Sequence, residues 1–252
     1  MLGLKWGPDL RQRSQALELL DAPDIPRADL WRNLAELDTI NRWLGGHAIT
    51  LAGLQRLLVN LPPRLSESGA PQRLRIVDIG CGGGDSLKAI AAWSKVAKVA
   101  QQIQAAGLQL ELTGVDLKPE CLEFAQQACQ GLNIHWICSD YRLLESEYDI
   151  VLTSLFCHHL DSDQLREFFI WAKQNAKMGI LINDLHRHPL AWWGIRILTS
   201  LFSRSYLVKN DAPLSVWRGF SRAELAEVLA ETGWKADLDW CWAFRYRVLG
   251  YV

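Results

Sequence analysis

The sequence has almost no net charge to offer a partner: 27 Lys and Arg stand against 28 Asp and Glu, a balance of −1. A nucleic-acid binder would show a basic excess or stripe, so no nucleic-acid partner is expected. CxxC pairs and repeated cysteine spacings are also missing. Cys81, Cys121, Cys129, Cys138, Cys157 and Cys241 read as free thiols of a reducing compartment. The opening "MLGLKWGPDLRQRS" lacks the apolar core of a signal peptide, which points to a cytoplasmic protein. No apolar run is long enough to span a bilayer. The best, Pro189 to Phe202, is too short and contains Arg196. No internal repeat is present.

What the chain does have is length, 252 residues, 12 tryptophans, and one conspicuous loop. In "RIVDIGCGGGDSLKAI", Arg75 to Ile90, four glycines fall within Gly80–Gly84, between a β-branched run and an amphipathic one. After the Pro- and Ser-rich linker Leu61–Gln72, strand-like and helix-like segments alternate. Strands are expected at 74–79, 108–116, 133–140, 148–156 and 179–185. Helices are expected at 85–107, 119–131, 161–176 and 221–234. Two last strand-like pieces, "KADLDW" and "AFRYRVLGYV", are placed to pair antiparallel. Strands separated by helices demand a parallel sheet covered on both faces. Residues 1 to about 60 read as helical, with a break at "DAPDIPRADL" and Asp29 as a cap.

The glycine loop lies where an open α/β sheet binds ligands, at the turn from first strand to first helix. As a dinucleotide fingerprint it fails, because Asp85 stands where the third glycine should be and would repel a pyrophosphate. Asp116 also comes later than the acid of a nicotinamide ribose site. A ligand with a positive charge and a ribose fits better.

"VDIGCGGG" resembles the glycine loop of class I S-adenosylmethionine (SAM)-dependent methyltransferases. "LTGVDLKPECLEFA", "CSDY" and "YDIVLTSLFCHHL" are similar to the family's later motifs, in order and at matching separations. The resemblance implies a doubly wound, seven-stranded, mostly parallel Rossmann-like sheet with an antiparallel last strand. Its domain would be 71–252, preceded by an N-terminal helical cap and linker (1–70) and carrying an inserted lid at about 186–218. It implies SAM as cofactor and S-adenosylhomocysteine (SAH) as product. Gly80, Gly82 and Gly84 would pass beside the methionine part, with Cys81 as small filler. Asp78 would meet the ligand's amino end and Asp116 the ribose. Asp140, Ser139, Leu117 and Tyr141 would surround adenine, and Ser154 and Leu155 would close the pocket at the sulfonium. Arg42 would pair with the SAM carboxylate or an anionic acceptor.

The acceptor side is less determined. A base is needed when the acceptor keeps its proton at neutral pH, and histidine suits the task. His186, His188 and His159 follow expected strands, His186 being preferred; no metal site is expected, although Asp184, His186 and His188 alternate. The apolar segment 189–207, with Trp192 and Trp193, is either core or a lid over a small hydrophobic acceptor. It is also the segment fit for weak contact with a membrane surface. "INRWLGG", "NDLHRHP" and the N-terminal extension resemble small-molecule methyltransferases encoded near type III polyketide synthases. The expectation is O-methylation of a lipophilic or phenolic, polyketide-like acceptor. The alternatives are C-methylation of the quinone-biosynthesis kind, or SAM binding without catalysis.

Overall fold

The computed structural model describes residues 7–59, 71–145 and 147–252. Most of the linker expected at 61–72 lies outside them. Seven strands form one sheet: β1 (Gln72–Ile79), β2 (Leu108–Asp116), β3 (Ile134–Cys138), β4 (Tyr148–Ser154), β5 (Ala176–Leu185), β6 (Lys235–Cys241) and β7 (Arg245–Tyr251). Their order is β3-β2-β1-β4-β5-β7-β6, and β7 runs antiparallel to both neighbours. This is the doubly wound sheet the alternating segments demanded.

Successive residues of the central strands feed opposite faces. Ile76, Ile150, Leu152 and Leu181 pack on one side with Leu54 of α2 (Gly46–Val59) and Ile90 of α3 (Asp85–Trp93). Val77, Val151, Ile180 and Ile182 pack on the other with Phe168 and Phe169 of α6 (Ser162–Asn175) and Leu225 of α9 (Arg222–Glu231). Both faces are covered, so these strands read as continuous apolar runs.

Two expected helices are redrawn. The stretch 85–107 is not one helix but α3 followed by α4 (Ala97–Ala105). Ser94 closes α3, its hydroxyl donating to the Ala91 carbonyl at 2.9 Å, a local bond that competes with helix continuation. At the N-terminus, residues 7–26 form no α-helix. They run as a strap with one 3-10 turn, Leu19–Asp21, before α1 (Arg27–Trp43). Pro26, not Asp29, occupies the N-cap of α1; Asp29 sits in its first turn, where a carboxylate suits the helix dipole.

Between β5 and α9 the inserted segment is a helical hairpin, α7 (Pro189–Phe202) and α8 (Tyr206–Arg218). It is tied to α1 through Glu36, which accepts from the Arg204 and Ser205 amides at 3.0 and 3.2 Å. It is tied to the strap through the buried Asp211, which accepts from the Leu19 and Leu20 amides at 2.8 and 2.9 Å. On α7, Trp192 is buried against the Trp193 ring and beneath Arg196, with Gly7 beside it. Trp192→Ala is expected to cost about 3–5 kcal/mol of stability in thermal or denaturant unfolding, without raising the acceptor KM. Ile197, Leu201 and Phe202 of α7 are exposed. No helix among the described residues is long and apolar enough to cross a membrane.

Candidate active site

The carboxyl ends of β1, β2 and β4 open into a cavity of about 390 Å³. Gly80 and Gly82 take left-handed backbone, φ +67° and +49°, at its floor. A Cβ on Gly80 would stand 2.3 Å from the Phe156 ring, so only glycine fits there. Asp116, at the end of β2, accepts from the Gly82 amide at 2.8 Å and the Lys118 amide at 2.9 Å, and so ties the loop to β2. Burial nevertheless lifts its pKa above the ordinary carboxylate value, the two amides opposing the shift.

Of the residues expected to bind a cofactor, Gly80, Cys81, Gly82, Asp116, Leu117, Ser139, Asp140, Tyr141, Ser154 and Leu155 all line this one cavity. Burial pushes the Cys81 thiol well up, which keeps it protonated and agrees with a filler role. Asp140 lies well placed at the rim but already holds Arg142 by a bidentate pair, which lowers its pKa. Tyr141 packs edge-on against Phe156, Phe168 and Trp171, and burial carries its phenol up to about 12. Leu155 has φ 57°, rare for a non-glycine residue, and its amide donates to the Asn183 carbonyl at 3.0 Å. The Ser154 hydroxyl is buried without a partner.

Three residues expected at the cofactor do not line the cavity. Gly84 is the left-handed N-cap of α3, shut in by Trp136, against which a Cβ would stand 2.6 Å away. Asp78 is buried within β1. Desolvation, and then the charges of Asp85 and Asp116, hold its pKa well above normal, and its Oδ1 has no partner. Arg42 turns outward and pairs with Asp38 at 2.8 Å, one helical turn away. Trp43 beside it is exposed rather than packed in the core. The α1 residues that do reach the cavity are Leu34, Leu37, Asp38 and Asn41. Asn41 and His47 anchor the helical cap to the loop, each donating to Asp85 Oδ2 at 2.8 Å. Burial opposes ionisation of Asp85, but these two bonds prevail and lower its pKa.

A second cavity of about 380 Å³ adjoins the first, and Leu20, Leu37, Leu155 and His159 line both. Its walls are mostly apolar. The helical hairpin supplies Leu190, Ile195 and Leu198 from α7 and Val208, Ala212 and Val216 from α8. Trp192 and Trp193 point away from it, beside Arg187 and Pro189. Read as a lid, the segment is expected to turn one of these two tryptophans to the core and the other to the acceptor; Trp192 is buried, neither ring lines this cavity, and the α7 side chains that do are aliphatic.

The histidines are redistributed as well. His186 lines neither cavity; its Nδ1 accepts from the Trp240 indole at 3.2 Å, and burial, then the charges of His188 and Arg187, lower its pKa. His188 lines neither and caps α7, its Nδ1 accepting from the Leu190 amide at 3.2 Å while the ring stacks on Phe244. The two imidazoles of "FCHHL" stand at the junction instead. His158 is buried with Nδ1 2.8 Å from Asp184 Oδ1, and His159 has Nδ1 3.1 Å from Asp21 Oδ1. Burial works against a charged His159, but the Asp21 bond and the charges of Glu18 and Asp21 outweigh it and raise its pKa. The sequence places His158 and His159 together after β4 and Asp184 near the end of β5, but nothing in it joins them to each other or to the strap acids Glu18 and Asp21.

Residues 76–179 match the family model described as a methyltransferase domain. Among curated proteins, the cyclopropane-fatty-acyl-phospholipid synthase of Escherichia coli (strain K12) is 25% identical over 104 residues. That stretch is 41% of this chain and only 24% of the relative. Among solved structures, the plantazolicin methyltransferase BpumL in complex with SAH superposes with a TM-score of 0.59 at 15% identity, covering 89% of this chain and 94% of that one. Human N-acetylserotonin methyltransferase in complex with SAM gives 0.58 at 17%, over 90% and 56%. The magnesium protoporphyrin IX methyltransferase of Synechocystis PCC 6803 with bound SAM gives 0.53 at 16%, over 94% and 98%. At these identities the likeness establishes a shared fold.

Proposed function

We propose that this chain is a class I SAM-dependent methyltransferase, a reading its domain match and its fold support, and that it methylates an oxygen of a small lipophilic acceptor held in the second cavity. The observation that carries the reading is the junction: two cavities of small-molecule size share one wall, with an imidazole in it. The cofactor fits the first cavity, the more polar of the two. Asp116 keeps lone pairs free for ribose hydroxyls, and Leu117 and Tyr141 flank the place for adenine. The unpartnered, buried Ser154 Oγ and Asn41 Oδ1 offer polar atoms to the methionine end, with Asp38 beside them for its ammonium. When bound, SAM supplies an electrophilic methyl on a positively charged sulfur.

The chain's own work is then positioning and exclusion of water. Leu20, Leu37 and Leu155 form an apolar collar around the point of transfer. His158 and His159 give that point proton-accepting groups, which favours an acceptor that arrives as a hydroxyl. The aliphatic α7–α8 wall suits a phenolic or polyketide-like body.

The test is incubation with methyl-labelled SAM and a panel of alkyl phenols and quinols, with the methylated atom located by mass spectrometry. Label on oxygen supports the reading; label only on ring carbon, or only on a polar acceptor such as tRNA, overturns it. Ala212 on α8 gives an independent check, since a large side chain there grows into the acceptor cavity. Ala212→Trp is expected to raise the acceptor KM at least about 10-fold while SAM affinity, measured by calorimetry, changes less than about 2-fold.

A further inference from the structure

The junction holds a group of side chains that proton transfer alone does not require. We propose that Glu18, His158 and His159 bind a divalent transition-metal ion, zinc in type, with a coordination position left open toward the acceptor cavity. His158 Nε2 stands 3.6 Å from Glu18 Oε1, and His159 Nε2 stands 3.7 Å from Glu18 Oε2. One ligand atom from each of the three residues lies within 4.8 Å of the others. Two ligands each about 2.0–2.1 Å from zinc, at a near-tetrahedral angle, are roughly 3.4 Å apart. Each observed gap runs to a different Glu18 oxygen; both are long for hydrogen bonds and near the spacing of two ligands on one ion.

The second observation is independent of those distances. Each imidazole has its other nitrogen engaged by a carboxylate: Nδ1 of His158 by Asp184 at 2.8 Å, Nδ1 of His159 by Asp21 at 3.1 Å. A proton held at Nδ1 leaves the Nε2 lone pair directed at Glu18. That carboxylate–histidine pairing is the arrangement that orients imidazole ligands around metals. Glu18 is itself aimed, its Oε1 accepting from the Ser215 hydroxyl at 2.7 Å. Two imidazoles and one carboxylate suit zinc or its neighbours rather than magnesium or calcium. The other histidine cluster, Asp38, His47 and Asp85, lacks the space: His47 Nε2 is hydrogen-bonded to Asp85 Oδ2 at 2.8 Å.

The consequence for chemistry rests on the methyl-transfer reading. With the ion bound the two imidazoles serve as its ligands in place of proton acceptors, and an acceptor hydroxyl taking the open position would be acidified by the cation, as bound water is. Its O–H bond breaks with the proton passing to solvent; the O–CH3 bond then forms as the S–CH3 bond breaks, leaving SAH.

The experiment uses the full chain, stripped with chelator and titrated with zinc chloride by calorimetry, with SAM affinity measured in parallel. One zinc per chain is expected. Glu18→Gln and His159→Gln should weaken zinc at least about 100-fold, and Asp21→Asn, which alters the group that orients His159 and holds the Glu18 amide, about 10–100-fold. Retained SAM affinity identifies the variants that have folded. Asp21 is partly exposed, which keeps that variant informative should the others misfold. His47→Gln should leave zinc binding unchanged. Absence of stoichiometric zinc in the wild type, binding that survives Glu18→Gln and Asp21→Asn, or loss confined to His47→Gln each overturns the assignment. Zinc binding without SAM binding would sink the methyl-transfer reading and leave the metal site standing; SAM binding without zinc would do the reverse.

Discussion

Asp116→Ala is expected to weaken SAM binding by about 2–4 kcal/mol, some 30- to 1000-fold in affinity, because it deletes a carboxylate placed to accept both ribose hydroxyls. The side chain also pins the glycine loop through the Gly82 amide, so the loss combines a ligand contact with a loosened floor. Calorimetry on the folded variant measures it. Asp116→Asn separates the contributions: its one remaining acceptor oxygen can keep the Gly82 bond while the charge is gone, and an intermediate loss is expected. Unchanged affinity in the alanine variant would remove Asp116 from the site.

His159→Gln is expected to lower turnover by about 10²-fold or more with SAM affinity nearly intact, since the ring sits in the wall shared by the two cavities. The contrast is His186→Ala. That ring lines neither cavity and is occupied by the Trp240 indole, so turnover should stay within about 2-fold of wild type. Single-turnover rates with saturating acceptor distinguish the two. Turnover lost in His186→Ala and kept in His159→Gln would mean that the strand-five histidine, not the junction, serves the acceptor.

The sheet and most of the residues that line the first cavity were legible because their signals are local. A β-branched run, a glycine turn and an amphipathic helix follow one another within Arg75–Ile90, and Asp116, Asp140 and Leu155 each stand at or just beyond a strand end. What was lost is direction. The position of His186 after β5 fixes its backbone only; the ring turns toward β6, where the Trp240 indole donates to it. Arg42 is likewise drawn to a local partner, Asp38 four residues earlier.

The junction was illegible for a different reason. Its members come from the strap (Glu18, Asp21), from the turn after β4 (His158, His159) and from β5 (Asp184), and nothing periodic links them. Arg218 and Arg13 hold these pieces together through carbonyl oxygens: Arg218 donates to His158 and His159, and Arg13 to His158 and Leu160. Such bonds leave no mark on residue spacing. The lid was half visible: an all-round apolar helix announced that α7 covers something, but not which side faces the acceptor. Trp192 and Trp193 drew the inference by size, whereas the smaller Ile195 and Leu198 line the cavity.

SAM is expected to lie in the first cavity with its methyl directed through the shared wall into the second. A crystal structure of the chain with SAH tests this most directly. The predicted result is ribose on Asp116, adenine beside Leu117 and Tyr141, and sulfur facing Leu155 and His159. Product bound elsewhere, or bound in the first cavity with its sulfur turned away from Leu155 and His159, would contradict it.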